Sequence, residues 1–173
     1  FLGSGDSGAA VASAGDLNGD GVDDIVIGAP AANSGLAIDA GAAFVVFGRD
    51  DGFAGSVELL SLNGATGFAL NGVGTDEECG FAVAPAGDLN GDGLDDLVIG
   101  APSAEVDGAS NAGRAYVVFG RDTAVDGPFP ASIELSALNG NNGFALTGID
   151  LSDSAGQAVA GIGDINNDGI DDL

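Results

Sequence analysis

Residues 15–30 read GDLNGDGVDDIVIGAP, and residues 87–102 read GDLNGDGLDDLVIGAP. The two stretches differ only at Val22/Leu94 and Ile25/Leu97, each time one aliphatic side chain for another. A third copy, GDINNDGIDDL, occupies residues 163–173. Asp16, Asp88 and Asp164 open the three loops, spaced by 72 residues (16 to 88) and then 76 (88 to 164). Self-similarity at such a period marks a repeat architecture, in which one unit is too small to bury its own apolar face and needs its neighbours.

The likeness extends outward from the loops. AGAAFVVFGRDDGF at 40–53 recurs as AGRAYVVFGRDTAV at 112–125, and SVELLSLNGATGFALNGV at 56–73 recurs as SIELSALNGNNGFALTGI at 132–149. A small-residue stretch precedes each loop: SGAAVASAG, CGFAVAPAG and AGQAVAGIG. No segment keeps a helical apolar period, whereas short Val/Ile/Phe runs bounded by Gly, Asn and Asp recur throughout, so the chain is read as all-β. Each unit supplies about four short strands: the small-residue stretch, IVIGAP, AFVVFG and GFAL. A short VELL stretch precedes the last of them. Runs such as IVI and FVVF predict strands buried on both faces, in sheets packed between neighbouring sheets. Four-stranded units in tandem predict β-propeller-type blades of antiparallel strands, with a flat sandwich as the alternative. The repeat units fall at approximately 1–67, 68–143 and 144–173, the last partial, giving about two blades and part of a third.

The loop pattern is D-x-N-x-D-G-x-D-D. Positions 1, 3, 5 and 9 are Asp16, Asn18, Asp20 and Asp24; then Asp88, Asn90, Asp92 and Asp96; then Asp164, Asn166, Asp168 and Asp172. Alternating oxygen-bearing side chains can turn inward around one hard cation. Glycine at position 6 permits the bend, and the carbonyl of position 7 (Val22, Leu94, Ile170) supplies a further oxygen. With water, this set meets the six to eight oxygens that calcium prefers, while magnesium demands stricter octahedral geometry. Asn-Gly and Asp-Gly are also the best hairpin residues, so a single copy could be only an acidic turn. Three copies keeping positions 1, 3, 5 and 9 point to about three Ca2+ sites. Calcium is expected to be structural, pinning a hairpin whose strands bury Ile25 and Ile27. At position 8, Asp23, Asp95 and Asp171 are expected to face solvent or to support the ligands from behind. An EF-hand would need Glu at position 12, where Ile27 and Ile99 stand, and flanking helices.

Composition narrows the functions. Against 27 acidic residues stand three basic ones, all Arg (Arg49, Arg114, Arg121), for a net charge of −24. That argues against nucleic acid or an anionic membrane as partner. The 173 residues include no His, Lys, Met or Trp, so the usual general bases, Schiff-base amines and zinc sites are missing. The remaining acids, such as Glu58, Glu134, Asp39 and Asp107, are scattered, and no catalytic residue is assigned. Cys79 cannot form an internal disulfide, being the sole cysteine, and is read as a small packed side chain, with an intermolecular bridge as the alternative. No apolar run approaches the ~20 residues that span a bilayer. The Gly-Arg-Asp sequences at 48–50 and 120–122 read as turns after a strand. The chain has neither a starting Met nor a visible signal peptide, so a processed form or a piece of something longer is expected.

On these residues the sequence resembles the FG-GAP repeat family of integrin α-subunit propellers and bacterial secreted proteins. The carriers are the GD-x-N-x-DG-x-DD loop, the IGAP at 27–30 and 99–102, and the FVVFG and YVVFG that follow. Cys79-Gly80 and Ala155-Gly156 stand where that family often has Phe-Gly. The resemblance implies calcium in the hairpin loop between the first two strands of a blade, within a seven-bladed propeller. It also implies an extracellular or cell-surface adhesion or recognition role. The expected function is thus a calcium-stabilised, non-catalytic scaffold or adhesion module with a protein or glycan ligand. The alternative is a structural subunit of an extracellular fibre or surface layer, in which copies of the chain pair their strands as a homo-oligomer or filament. A carboxylate-pair hydrolase is the remaining, least supported reading.

Overall fold

The computed structural model describes residues 7–173. Its strands are β1 (Ala10–Gly15), β2 (Asp24–Ala29), β3 (Ala42–Val46), β4 (Gly67–Asn71), β5 (Ala82–Gly87), β6 (Asp96–Ala101), β7 (Arg114–Val118), β8 (Ser132–Glu134) and β9 (Gly143–Thr147). Single 3-10 turns occur at Leu59–Ser61 and Leu135–Ala137. The chain is all-β, as its periodicity predicts.

Two sheets result, ordered β1-β2-β3-β4-β8 and β5-β6-β7-β9. Within a unit, successive strands pair antiparallel as a meander, with equivalent registers: Val11 faces Ile27 in the first sheet and Val83 faces Ile99 in the second. These are β-propeller-type blades of four antiparallel strands, and a third copy of the loop follows. The boundary at 67/68 falls at the start of β4, because a repeat period has no intrinsic phase. β8 was not anticipated as part of the first sheet. It belongs by sequence to the second unit, yet pairs parallel with β4 of the first, Leu70 opposite Ile133. A segment of the second unit thus laces onto the sheet of the first.

The main core lies between the sheets. The first sheet contributes Ala14, Val26, Ala43, Val45, Phe68 and Leu70; the second contributes Leu97, Ile99, Ala101, Tyr116 and Val118. Phe129, from the segment leading into β8, stacks on Phe68 at 4.4 Å and leans on Phe47 at 5.8 Å. Burying one such side chain stabilises by roughly 1.5–3 kcal/mol, so this interface dominates the energetics. Cys79 is buried in the same core and free of any disulfide, and burial pushes its thiol pKa up.

Backbone contact explains the glycine of IGAP. A Cβ on Gly28 would lie 2.0 Å from the Gly80 carbonyl oxygen, and one on Gly100 would lie 1.9 Å from that of Gly156. The IGAP glycine of each unit therefore lies against the Cys-Gly or Ala-Gly of the next.

One expectation fails. Ile25 is 42% exposed and Ile27 only half-buried, while Val26 between them is fully buried. Strand alternation turns Val26 toward the second sheet and both isoleucines to the opposite face. In β6, by contrast, all six residues are buried. Leu97 and Ile99 face the first sheet, and Val98 joins a separate cluster with Ala86, Val117, Phe144 and Val159 on the far side.

Candidate cation-binding loops

The first two acidic loops each bridge a strand that ends in a β-bulge and the strand that follows, while the third is closed by an isolated bridge between Gly163 and Asp172. The register shifts between Ser13 and Gly15, and again between Pro85 and Gly87, just ahead of the opening aspartate. In loop 16–24, Asp16 folds back over the turn. Its Oδ1 accepts from the N–H of Gly19 (2.8 Å) and Asp20 (3.1 Å), and its Oδ2 from that of Gly21 (2.8 Å). Asn18 Oδ1 accepts from the Asp20 N–H at 2.8 Å, and Asp20 Oδ1 from the Val22 N–H at 2.9 Å. Asn18 Nδ2 donates to Asp20 Oδ2 at 3.0 Å.

Loop 88–96 repeats this pattern bond for bond. Asp88 accepts from Gly91, Asp92 and Gly93 at 2.7, 3.0 and 2.9 Å, Asn90 accepts from Asp92 at 2.9 Å, and Asp92 accepts from Leu94 at 2.9 Å. Loop 164–172 keeps part of it. Asp164 accepts from the N–H groups of Asp168 (3.1 Å) and Gly169 (2.8 Å), and Asp168 from that of Ile170 (2.9 Å). Asn167 takes a positive φ of 60° there, where Gly19 and Gly91 take 74° and 75°.

Position 9 sits differently. Asp24 is buried at the base of its loop, its Oδ2 accepting from the Leu17 N–H (3.1 Å) and its Oδ1 from the Gly48 N–H (2.9 Å). Asp96 does the same with Leu89 (2.9 Å) and Gly120 (2.9 Å). Asp172 accepts from Ile165 at 3.0 Å and lies near Asn166 Nδ2 at 3.4 Å. Burial raises the Asp24 pKa to about 7; the Gly48 and Leu17 amides pull it down, and Asp20 and Asp16 push it further up. Burial likewise raises Asp96 to about 6, against the Gly120 and Leu89 amides and with Asp92 and Asp88 adding to the rise. The glycine of FVVFG and YVVFG, recognised in the sequence only as part of the repeat, therefore supports the position-9 carboxylate with its N–H.

Each set of five positions is gathered on its own loop, giving three separate candidate sites. Among the described residues, no three Asp, Glu, Cys or His side chains form a metal-binding cluster as they stand, because the carboxylates turn onto backbone amides. The donor set itself is wholly oxygen: three carboxylates, an amide oxygen and a carbonyl within nine residues. Asp16 Oδ1 and Asp88 Oδ1 each accept two hydrogen bonds, but their Oδ2 atoms and both oxygens of Asp20 and Asp92 accept one each and keep a lone pair free. That chemistry fits a hard cation and no soft one.

Outside the loops, Glu77 is a buried acid, held by the N–H groups of Val73 (2.7 Å) and Gly74 (2.6 Å), the Tyr116 hydroxyl, and Arg114 at 3.6 Å. With every partner satisfied, it reads as structural. Arg49 pairs with Asp51 at 2.9 Å on the surface, where an ion pair contributes little.

Tandem four-stranded blades, each carrying one acidic loop between its first two strands, define the class of protein. The FG-GAP repeat family model matches residues 7–57 and 80–118, and the chain belongs to that family. It is 34% identical over 148 residues to the phosphatidylinositol-glycan-specific phospholipase D of Bos taurus, covering 84% of this chain and 17% of that protein. It is 32% identical to integrin alpha-6 of Gallus gallus over 150 residues, and 31% identical to integrin alpha-5 of Xenopus laevis over 163 residues. Those alignments cover 84% and 92% of this chain but 12% of each integrin. The chain thus spans less than a fifth of the length of these relatives. No helix among the described residues is long and apolar enough to cross a membrane.

Proposed function

We propose that this chain is a calcium-stabilised, non-catalytic scaffold or adhesion module that works outside the cell or at its surface. Each loop binds one Ca2+ through the side chains at positions 1, 3, 5 and 9 and the carbonyl at position 7. The observation that carries the reading is the bond-for-bond repetition of the acidic turn in loops 16–24 and 88–96. A turn needed only for chain reversal has no reason to place three carboxylates within nine residues twice over.

The electrostatics support it. Clustered carboxylates repel, and the chain carries −24 overall; three bound calcium ions would bring that to roughly −18. At a hundredfold excess of ion over Kd, each site would add about 2.7 kcal/mol of stability. Calcium supplies charge neutralisation here. The chain's own residues set the loop curvature and, through Asp24 and Asp96, tie it to the β3 and β7 ends of the blades. A protein or glycan is the ligand this reading expects for the assembled surface.

Calorimetry with calcium tests the reading: three sites are expected, with two lost in the double variant Asp20→Ala plus Asp92→Ala. No calcium heat in the wild-type chain would sink it. The second reading, a fibre subunit, is supported by exposed apolar side chains on the first unit (Phe53, Val57 and Leu60). Light scattering in calcium distinguishes the two, since a monodisperse monomer excludes the fibre.

A further inference from the structure

Position 8 of each loop is an aspartate that the cation chemistry leaves unused, and in two of three cases it reaches into the preceding loop. Asp95 Oδ2 accepts a hydrogen bond from the backbone N–H of Asp16 at 2.8 Å, across 79 residues of sequence. Asp171 Oδ2 accepts one from the N–H of Asp88 at 3.0 Å, across 83 residues. Each contact has a return bond: the Asp95 N–H donates to the Asp16 carbonyl at 3.4 Å, and the Asp171 N–H to the Asp88 carbonyl at 3.1 Å. The first ligand position of one loop is therefore clasped, donor and acceptor both, by the residue at position 8 of the next.

The glycine before each loop makes the slot for that clasp. Gly15 and Gly87 have φ of 67° and 71°, and a Cβ there would lie 2.3 Å from Asp95 Oδ2 and 2.1 Å from Asp171 Oδ2. Gly163 has the same φ of 71° but would meet nothing within 4 Å. The Gly-Asp that opens the first two copies thus serves two purposes: glycine leaves room for the neighbouring carboxylate, and the aspartate's own N–H binds it.

We propose that Asp95 and Asp171 are positioning residues that join the acidic loops in series, so that calcium binding in one loop favours binding in the loop before it. The proposal rests on the calcium reading above. Asp95 stands between Leu94, whose carbonyl is a ligand of loop 88–96, and Asp96, its position-9 carboxylate. An ion that orders this stretch also fixes the group holding Asp16. The Asp95 carboxylate adds negative charge beside Asp16, and an ion in loop 16–24 offsets it. Coupling of this kind is reciprocal.

The test compares the wild-type chain with Asp95→Ala, which removes the acceptor, and Asp95→Asn, which keeps an acceptor oxygen. Two readouts are taken: calcium binding isotherms, and amide hydrogen exchange without calcium. The wild type is expected to bind more steeply than independent sites allow. Asp95→Ala is expected to flatten the isotherm and weaken one site roughly tenfold, the usual cost of an unmade hydrogen bond. It should also speed exchange at residues 15–21 while sparing 87–93, with Asp95→Asn close to wild type. Asp171→Ala, which alters the exposed third loop, should move both effects to residues 87–93; it also serves as the second variant if Asp95→Ala does not fold. A wild-type isotherm no steeper than independent sites overturns the coupling. Unchanged exchange at 15–21 in Asp95→Ala and at 87–93 in Asp171→Ala overturns the clasp itself. If the wild type binds no calcium, the calcium reading and the coupling both fall, and exchange still decides the clasp.

Discussion

The same face is sealed on the second blade and partly open on the first. On the second blade, Leu97, Ile99, Tyr116 and Val118 lie sealed against the first, with Phe129 stacked on Phe68 beside them. On the first blade the equivalent positions are Ile25, Ile27, Phe44 and Val46, with Phe53 in place of Phe129. Ile25 is 42% exposed against 0% for Leu97, and Phe53 is 50% exposed against 5% for Phe129. Part of this face is covered from within: Leu59 and Leu62 of the 3-10 turn region cluster with Phe44 and Val46. Near-identical sequence is sealed in one place and partly exposed in the other because burial is set by the neighbouring blade as well as by the blade's own turns. The apolar pattern of a repeat is written for its interface as much as for its own sheet.

Paired substitutions sharpen this contrast. The largest difference is expected between Phe129→Ala, at roughly 3–5 kcal/mol, and Phe53→Ala, at well under about 1 kcal/mol, read by denaturant midpoints. Equal losses would mean that the two aromatics sit in equivalent surroundings after all. Next come Leu97→Ala, at about 2–5 kcal/mol, and Ile25→Ala, which removes a side chain still partly in water and should cost a fraction of that. A smaller gap separates Gly15→Ala from Gly163→Ala. Both add the strain of a side chain at positive φ, roughly 1–2 kcal/mol, but only the first drives a Cβ into Asp95. Thermal unfolding should show Gly15→Ala as the more damaging, and the difference between them isolates the inter-loop contact. The smallest effect is expected at the rim, where Asn71 Nδ2 donates to Glu134 Oε1 at 2.6 Å in full view of solvent. Glu134→Gln should change stability by less than about 1 kcal/mol, since exposed pairs contribute little.

Much of this was legible in the sequence because the repeat compares the chain with itself. Recurrence of the loop, IGAP and FVVFG gave the strands, their order and the all-β class. Alternating Asp and Asn at fixed positions gave the candidate ligands. What stayed hidden was whatever crosses from one unit to the next. The parallel pairing of Ser132–Glu134 with β4 carries no local signal, since three residues of SIE look alike paired or unpaired. For Asp95 and Asp171 the sequence left solvent and support of the ligands both open, and could not name the partner, because it is a backbone N–H about 80 residues away and backbone groups are the same in every sequence. The exposure of Ile25 was missed because the periodicity of IVI states that both faces are apolar without stating which neighbour is present.

The most direct measurement is the thermal unfolding curve of the wild-type chain in millimolar calcium, in millimolar magnesium and in excess chelator. If the acidic loops are calcium sites that hold the blade hairpins closed, calcium raises Tm by roughly 10 °C or more over chelator, from about 2.7 kcal/mol per filled site. Magnesium, which the loops suit poorly, should raise it far less. Superimposable curves in calcium and chelator would contradict that claim outright.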